Sequence, residues 1–310
     1  MRHESDLLFH LRMLTDSVRM EAYCNAIAQS VRPGDVVVDL GSGTGILGLL
    51  AARAGAARVY CVEQNAYMVE RARRIARDNG LDGTVVFLNT RIEDLTGFPE
   101  PIDVFVSETM GPAGIDEGIF QLFSHCATLQ ARQPRWIPDR LTVVAAPINY
   151  LDLAQRQHQA ARLMGLDFTS ISDELGRIAH ILPVMPDMLA APEQTLFCGV
   201  PGHDPLPEVL TLTWDLVYPV SFDAVGIWFS ARLCEGVELG NPPEGPDTHW
   251  SQLVLPVLPA VGPITGPVHL EVWPRFEATT PRWKWRLTWE GGTYTGDPAE
   301  LDPPSFAGFY

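Results

Sequence analysis

The stretch from Asp35 to Gly45, DVVVDLGSGTG, restricts this chain more than any other. Val36, Val37, Val38 and Leu40 form a short apolar run of the kind that a buried parallel strand needs. Gly41-Ser42-Gly43-Thr44-Gly45 closes the run, and Ile46, Leu47, Leu49, Leu50, Ala51 and Ala52 recur at helical spacing behind it. Strand, glycine turn and helix together open a nucleotide-binding α/β sheet, in which the glycines let the backbone approach a ligand where a Cβ would collide. The dinucleotide pattern GxGxxG fails because Ile46 stands at its last position, and the Gly-Lys-Ser/Thr of a phosphate loop is absent. What remains is D-L-G-x-G-x-G, with Asp39 inside the strand end.

The segments that follow alternate in the same sense. Ala57–Glu63 predicts a second strand, and Glu63 falls about 20 residues after the turn, where a carboxylate accepts ribose hydroxyls. That signal does not separate a methyl donor from a dinucleotide. Asn65–Asn79 predicts an amphipathic helix whose arginines form a solvated face. Val85–Leu88 and Ile102–Ser107 predict two more strands, and the loop carrying Ile92 and Glu93 lies beside the adenine in such a fold. Residues 31–147 thus read as one doubly wound α/β domain. Ahead of it, Ser5–Ser30 reads as one helical segment with an apolar stripe through Leu7, Leu11, Leu14, Val18, Ala22 and Ile27.

Beyond Pro147 prolines become frequent and short β-type runs appear: Leu210–Leu216, Ala224–Leu233, Ser251–Val257, Val268–Trp273 and Trp283–Trp289. This spacing predicts an antiparallel sandwich or barrel over residues 148–310, and the barrel is the form expected here. Gln155–Leu163 reads as a helical interlude and residues 165–194 as an insertion.

The formal net charge of −16 argues against nucleic acid as a general partner and favours a cationic one. No apolar stretch is long enough to span a membrane. The five cysteines are scattered without CxxC spacing, so neither a metal site nor a disulfide framework is expected, and a cytoplasmic setting is. The chemistry falls on Ser107-Glu108-Thr109-Met110-Gly111-Pro112-Ala113-Gly114-Ile115-Asp116-Glu117. Glu108 leaves the fourth strand at its carboxyl edge, where ligands bind in such sheets, and the glycines turn the chain so that Glu117 returns. Two carboxylates facing one cavity repel unless a cation separates them, and a guanidinium matches them best. Alternatively, Glu117 only begins the next helix.

In order, these residues resemble the protein arginine methyltransferase family. The N-terminal helix shows H-x-x-M-L-x-D-x-x-R-x-x-x-Y as His10, Met13, Leu14, Asp16, Arg19 and Tyr23. The glycine motif, Glu63, Glu93, the paired glutamates of the Ser107–Glu117 loop, Pro138-Asp139-Arg140, Gly165-Leu166-Asp167 and Thr248-His249-Trp250 follow. The resemblance implies S-adenosylmethionine as cofactor and methyl transfer to a guanidino nitrogen of arginine. The arginine would stand in a protein or peptide or be free L-arginine; another guanidino metabolite, or a non-catalytic donor-binding dimer partner, stays open. It implies that Arg19 pairs with the donor's carboxylate, that Asp39, Gly41 and Gly43 shape the donor site, that Glu63 holds the ribose, and that Ile92 and Glu93 flank the adenine. Glu108 and Glu117 would grip the guanidinium, and His249 would pair with Asp16. Met13, Met110 and Trp250 would line the acceptor channel, and the 165–194 insertion would serve as the arm of a homodimer. Three positions depart from the family pattern. Leu8-Phe9 stands in place of a tyrosine pair, Pro112 in place of the tyrosine after the loop glycine, and Ile119 in place of a methionine.

Overall fold

The computed structural model describes residues 2–150, 159, 162–277 and 280–298. Two sheets organise it. The first has five parallel strands, β1 (Val36–Leu40), β2 (Arg58–Glu63), β3 (Val85–Asn89), β4 (Val104–Ser107) and β5 (Arg135–Ile137), in the order β3-β2-β1-β4-β5. The order reverses at β1, so the glycine turn leaves the sheet at its switch point, where α/β sheets bind ligands. All five residues of β1 are buried. Helices α3 (Ile46–Arg53), α4 (Ala66–Asp78) and α5 (Ile119–Thr128) connect the strands. Asn65 caps α4 by accepting from the Tyr67 and Met68 amides.

The expected single N-terminal helix is two: α1 (Arg2–Thr15) and α2 (Ser17–Ser30). Asp16 breaks it, taking an extended backbone (φ −71°, ψ 97°) and accepting from the Arg19 amide as the N-cap of α2. A capping carboxylate competes with helix continuation, which apolar spacing does not register. Only α2 joins the core, through Ala22, Tyr23, Ala26 and Ile27. Leu7, Leu8, Phe9, Leu11 and Leu14 of α1 are exposed.

The second sheet is antiparallel and eight-stranded among the described residues. β10 (Gln194–Gly199), β6 (Arg140–Ile148), β11 (Leu210–Cys234), β13 (Gln252–Glu277), β14 (Thr280–Trp289) and β15 (Gly292–Gly296) run side by side. β12 (Val237–Gly240) adds to β11, and β9 (His180–Leu182) adds to β13. Four of the short runs read from sequence merge pairwise into β11 and β13. The Pro and Gly residues between them mark bulges, with the register shifting between Leu216 and Val220, Val220 and Phe222, and Phe222 and Ala224. The insertion holds β8 (Leu166–Asp167), the helix α6 (Thr169–Arg177) and β9, so its far end is sewn into the sheet, and β8 forms a hairpin with β7 (Arg162–Leu163) just ahead of it. Most of the Gln155–Leu163 interlude lies outside the described residues, and its described end, Arg162–Leu163, is strand where helix was expected, because it pairs with β8. Buried side chains of both sheets form one continuous core, in which Trp136 stacks on Phe105 and Phe123, and to which Phe229 and Trp285 of the second sheet also belong. No helix among the described residues is long and apolar enough to cross a membrane.

Candidate active site

Two cavities meet at Gly41. The smaller, about 40 Å³, is lined by His10, Met13, Arg19, Asp39, Gly43 and Glu108. The larger, about 270 Å³, is lined by Glu63, Ile92, Glu93, Thr109 and Glu117, with Arg91 at its side. The glycines are obligatory here. Gly41 has φ +69° and a Cβ there would come within 2.9 Å of Thr109 Cγ2; Gly43 has φ +51° and its Cβ would meet His10 Cε1 at 2.6 Å. His10 is therefore a site residue to which the sequence reading gave no role. Its spacing of three and four to Met13 and Leu14 puts all three on one helix face.

Asp39 is buried, with Oδ2 accepting from the Gly48 amide at 2.8 Å while Oδ1 has no partner among the described residues. Burial drives its pKa up to about 7, against the pull of that amide. Glu63 points both oxygens at backbone: Oε2 accepts from Gly43 at 2.9 Å and Oε1 from Asn65 at 2.7 Å. It thereby holds the glycine turn against the start of α4. Glu93 is paired with Arg91 at 3.0 Å on the cavity rim. Ile92, in a single 3₁₀ turn, is buried beneath it.

Glu108 and Arg19 do not wait separately for ligands. The Arg19 Nε and Nη2 donate to Glu108 Oε2 at 2.9 and 2.7 Å, and both side chains are almost fully buried. The Arg19 Nη1 also reaches the Met13 carbonyl at 3.3 Å. Tyr23 fixes α2 beneath this pair by donating to the Ser107 carbonyl at 2.9 Å. Glu117 stands in the larger cavity and keeps solvent contact although protein crowds its carboxyl. That crowding first, and then the negative charges of Glu108 and Asp116, raise its pKa.

His249 comes from the second sheet. Its backbone N–H and its Nδ1 each lie 2.8 Å from Asp16 Oδ2. Burial raises Asp16, but the amides of Arg19 and His249 and the His249 ring outweigh it and hold the carboxyl below its ordinary value. Burial lowers His249 despite the Asp16 bond. At neutral pH the ring is thus uncharged, Nδ1–H donates to the Asp16 carboxylate, and Nε2 is the acceptor. Trp250 packs on His249 (4.0 Å between centroids) and edge-on to Phe229. Met110 is fully buried. Neither Met110 nor Trp250 lines either of the two cavities, whereas Met13 lines the smaller one.

Comparison with known proteins agrees with this arrangement. A family model described as a methyltransferase domain matches residues 37–131. The arginine N(omega)-methyltransferase of Streptomyces achromogenes subsp. streptozoticus is 29% identical over 268 residues, which cover 80% of this chain and 71% of that protein. A probable protein arginine N-methyltransferase 3 of Arabidopsis thaliana is 30% identical over 79% of this chain, and the chain spans 46% of that longer relative. Among solved structures, the Trypanosoma brucei PRMT1 enzyme–prozyme heterotetrameric complex with AdoHcy superposes with a TM-score of 0.80 at 22% identity. It covers 93% of this chain and 96% of that one. Sequence motifs in family order, a parallel sheet followed by an antiparallel one, and relatives along most of the chain agree: the chain carries a methyltransferase domain and is similar over most of its length to protein arginine N-methyltransferases.

Proposed function

We propose that the protein transfers a methyl group from S-adenosylmethionine to a guanidino nitrogen of arginine. One observation carries the reading: Glu108 already grips a guanidinium, that of Arg19, in two hydrogen bonds of 2.7 and 2.9 Å inside the cleft. A substrate guanidinium presents the same donors to the same carboxylate.

The residues fit the methyl donor. Gly41 and Gly43 leave a cradle that a Cβ would fill, Asp39 lines the smaller cavity and has a buried oxygen with no partner among the described residues, and Arg19 offers a cation for a carboxylate. The smaller cavity has room for a few water molecules only, so admitting an amino-acid moiety would require its lining, His10 included, to move. When bound, S-adenosylmethionine supplies an electrophilic sulfonium methyl. The chain's part is to hold the acceptor. A guanidinium is a poor nucleophile because its lone pairs are delocalised. Glu108 and Glu117 localise its positive charge on the nitrogens they touch and orient the remaining one. The proton released has three acceptors open to it: Glu117, the Asp16–His249 pair, or water.

Gly43→Ala tests the cradle. The left-handed backbone costs an alanine roughly 1–2 kcal/mol, and the methyl displaces His10. Binding of S-adenosylhomocysteine, measured by calorimetry, is expected to weaken about tenfold or more; unchanged affinity would put the donor elsewhere.

The acceptor is decided by mass spectrometry of free L-arginine and of an arginine-rich peptide, each incubated with the protein and S-adenosylmethionine. A single methyl on free arginine makes this a metabolic enzyme. Methylation of the peptide alone makes it a protein-modifying one, and methylation of neither, with donor bound, overturns the proposal. We read the working form as a homodimer in a cytoplasmic setting. The β7–β8 hairpin supports a dimer by presenting exposed Met164 and Leu166 at its turn. A monomer by light scattering at micromolar concentration would overturn that part.

A further inference from the structure

The loop that carries the two glutamates is braced from within. The Gly114 amide donates to the Gly111 carbonyl at 3.0 Å, the Asp116 amide to the Met110 carbonyl at 3.0 Å, and the Ala113 amide to Asp116 Oδ2 at 2.5 Å. Its packing leaves no slack: a Cβ on Gly111 would lie 2.7 Å from Asp116 Cβ, and one on Gly114 would lie 2.6 Å from Phe229 Cβ of the second sheet. A loop braced in this way moves as a unit, so a bond that holds one of its carbonyls also holds Glu117 relative to the rest of the site.

Asn241 makes such a bond. It is buried just beyond β12, and its Nδ2 donates to the Pro112 carbonyl at 2.9 Å and to the Ser251 carbonyl at 2.8 Å. Pro112 belongs to the glutamate loop, and Ser251 follows His249 by two residues. One amide group therefore bridges the segment that carries the glutamates and the segment that carries the histidine. Its Oδ1 accepts from the Phe229 amide at 2.9 Å. The backbone is held too: the Asn241 amide donates to the Phe229 carbonyl at 3.2 Å, and the Asn241 carbonyl accepts from Gln252 Nε2 at 2.7 Å. The two carbonyls only accept and the Phe229 amide only donates, so the carboxamide has one possible orientation. The position calls for two donors and one acceptor on a short side chain, a set that asparagine alone supplies at that length.

We propose that Asn241 is a positioning residue for the acceptor site, setting the Glu108–Glu117 loop against the His249–Asp16 pair. The inference rests on the guanidine-methylating reading and deepens it. Asn241 lines neither of the two cavities, so it acts through the loops it joins. Its effect falls on the acceptor. The side-chain bonds that hold the donor cradle, from Asp39 to Gly48 and from Glu63 to Gly43 and Asn65, all lie between residues 39 and 65.

The test uses the full chain, with whichever guanidine, free L-arginine or arginine peptide, the wild type methylates. Asn241→Asp keeps the size of the side chain and the oxygen that receives the Phe229 amide, but turns an acceptor toward the two carbonyls. Its acceptor KM is expected to rise at least tenfold, while calorimetry with S-adenosylhomocysteine gives an affinity within twofold of wild type. Asn241→Ser keeps one O–H donor, and its acceptor KM is expected to rise less. Gln252→Ala removes a buried amide from the same network and leaves both Nδ2 bonds in place. It is expected to melt below wild type with an acceptor KM within twofold. Three results overturn the assignment: acceptor KM within twofold of wild type in the folded Asn241 variants, equal weakening of donor and acceptor, or a Gln252→Ala KM as high as that of Asn241→Asp. Should neither Asn241 variant fold, the residue serves folding alone and the assignment falls. Each of these leaves the methyltransferase reading intact. A wild type that methylates no guanidine overturns both.

Discussion

Glu108→Gln is expected to slow turnover by about 10²–10³-fold, the usual consequence of removing one preorganised charge-stabilising group from a site. Donor affinity should not fall. The reason lies in the Arg19–Glu108 pair, whose two side chains are 5% and 6% exposed. Removing one partner of a buried ion pair leaves the other charge uncompensated, so Arg19 in the variant gains most from a donor carboxylate. Two melting curves check this. Without ligand, the variant should melt below wild type. Saturating S-adenosylhomocysteine should then raise its melting temperature by more than it raises that of wild type, because ligand binding adds to stability by mass action. Turnover within tenfold of wild type would remove Glu108 from the acceptor site.

Asp16→Ala is expected to cost about 3 kcal/mol of stability, assembled from an N-cap worth about 1 kcal/mol and the stranding of buried donors at roughly 1–3 kcal/mol. Asp16 does three things at once. It caps α2 through the Arg19 amide, and it takes both the amide and the ring N–H of His249. Without it, Arg19 loses the helical register that aims it at Glu108, and His249 loses the partner that fixes its tautomer. Denaturant unfolding should show the loss, and turnover should drop with it. Asp16→Asn separates the roles: it keeps a cap oxygen but cannot receive both groups of His249 on a carboxylate. It should therefore recover part of the stability and little of the activity. Asp16→Ala with wild-type unfolding would mean that the contact to His249 is incidental.

The glycine turn and the four strands around it were legible because each is a local pattern. An apolar run ends in glycine, and an acid follows at fixed spacing. The break between α1 and α2 was not legible, because apolar residues continue at helical spacing straight through Asp16 and the partner that holds it, His249, is far away in sequence. β11 and β13 were read as four short strands for a related reason. Pro219, Gly262 and Pro263 look like ends, but the chain uses them as bulges inside strands that stay paired. The pairing of Arg19 with Glu108 spans 89 positions, and no spacing rule links a helix residue to a loop residue at that range. The resemblance assigns them to two different ligands, and nothing local in the sequence shows that they hold each other.

The Asp16–His249 contact joins positions 233 residues apart, which bears on how the protein is made. Ribosomes add roughly 5–20 residues per second, so a nascent chain carries the first helices for about 10–50 s before residue 249 exists. During that interval the glycine turn and its parallel sheet can already be complete, yet nothing can fasten the N-terminal segment over them. A half-made chain, or one cut before the second sheet, therefore has the pieces for holding a nucleoside but no means of locking the cleft until residue 249 has been added and the sheet around it has formed.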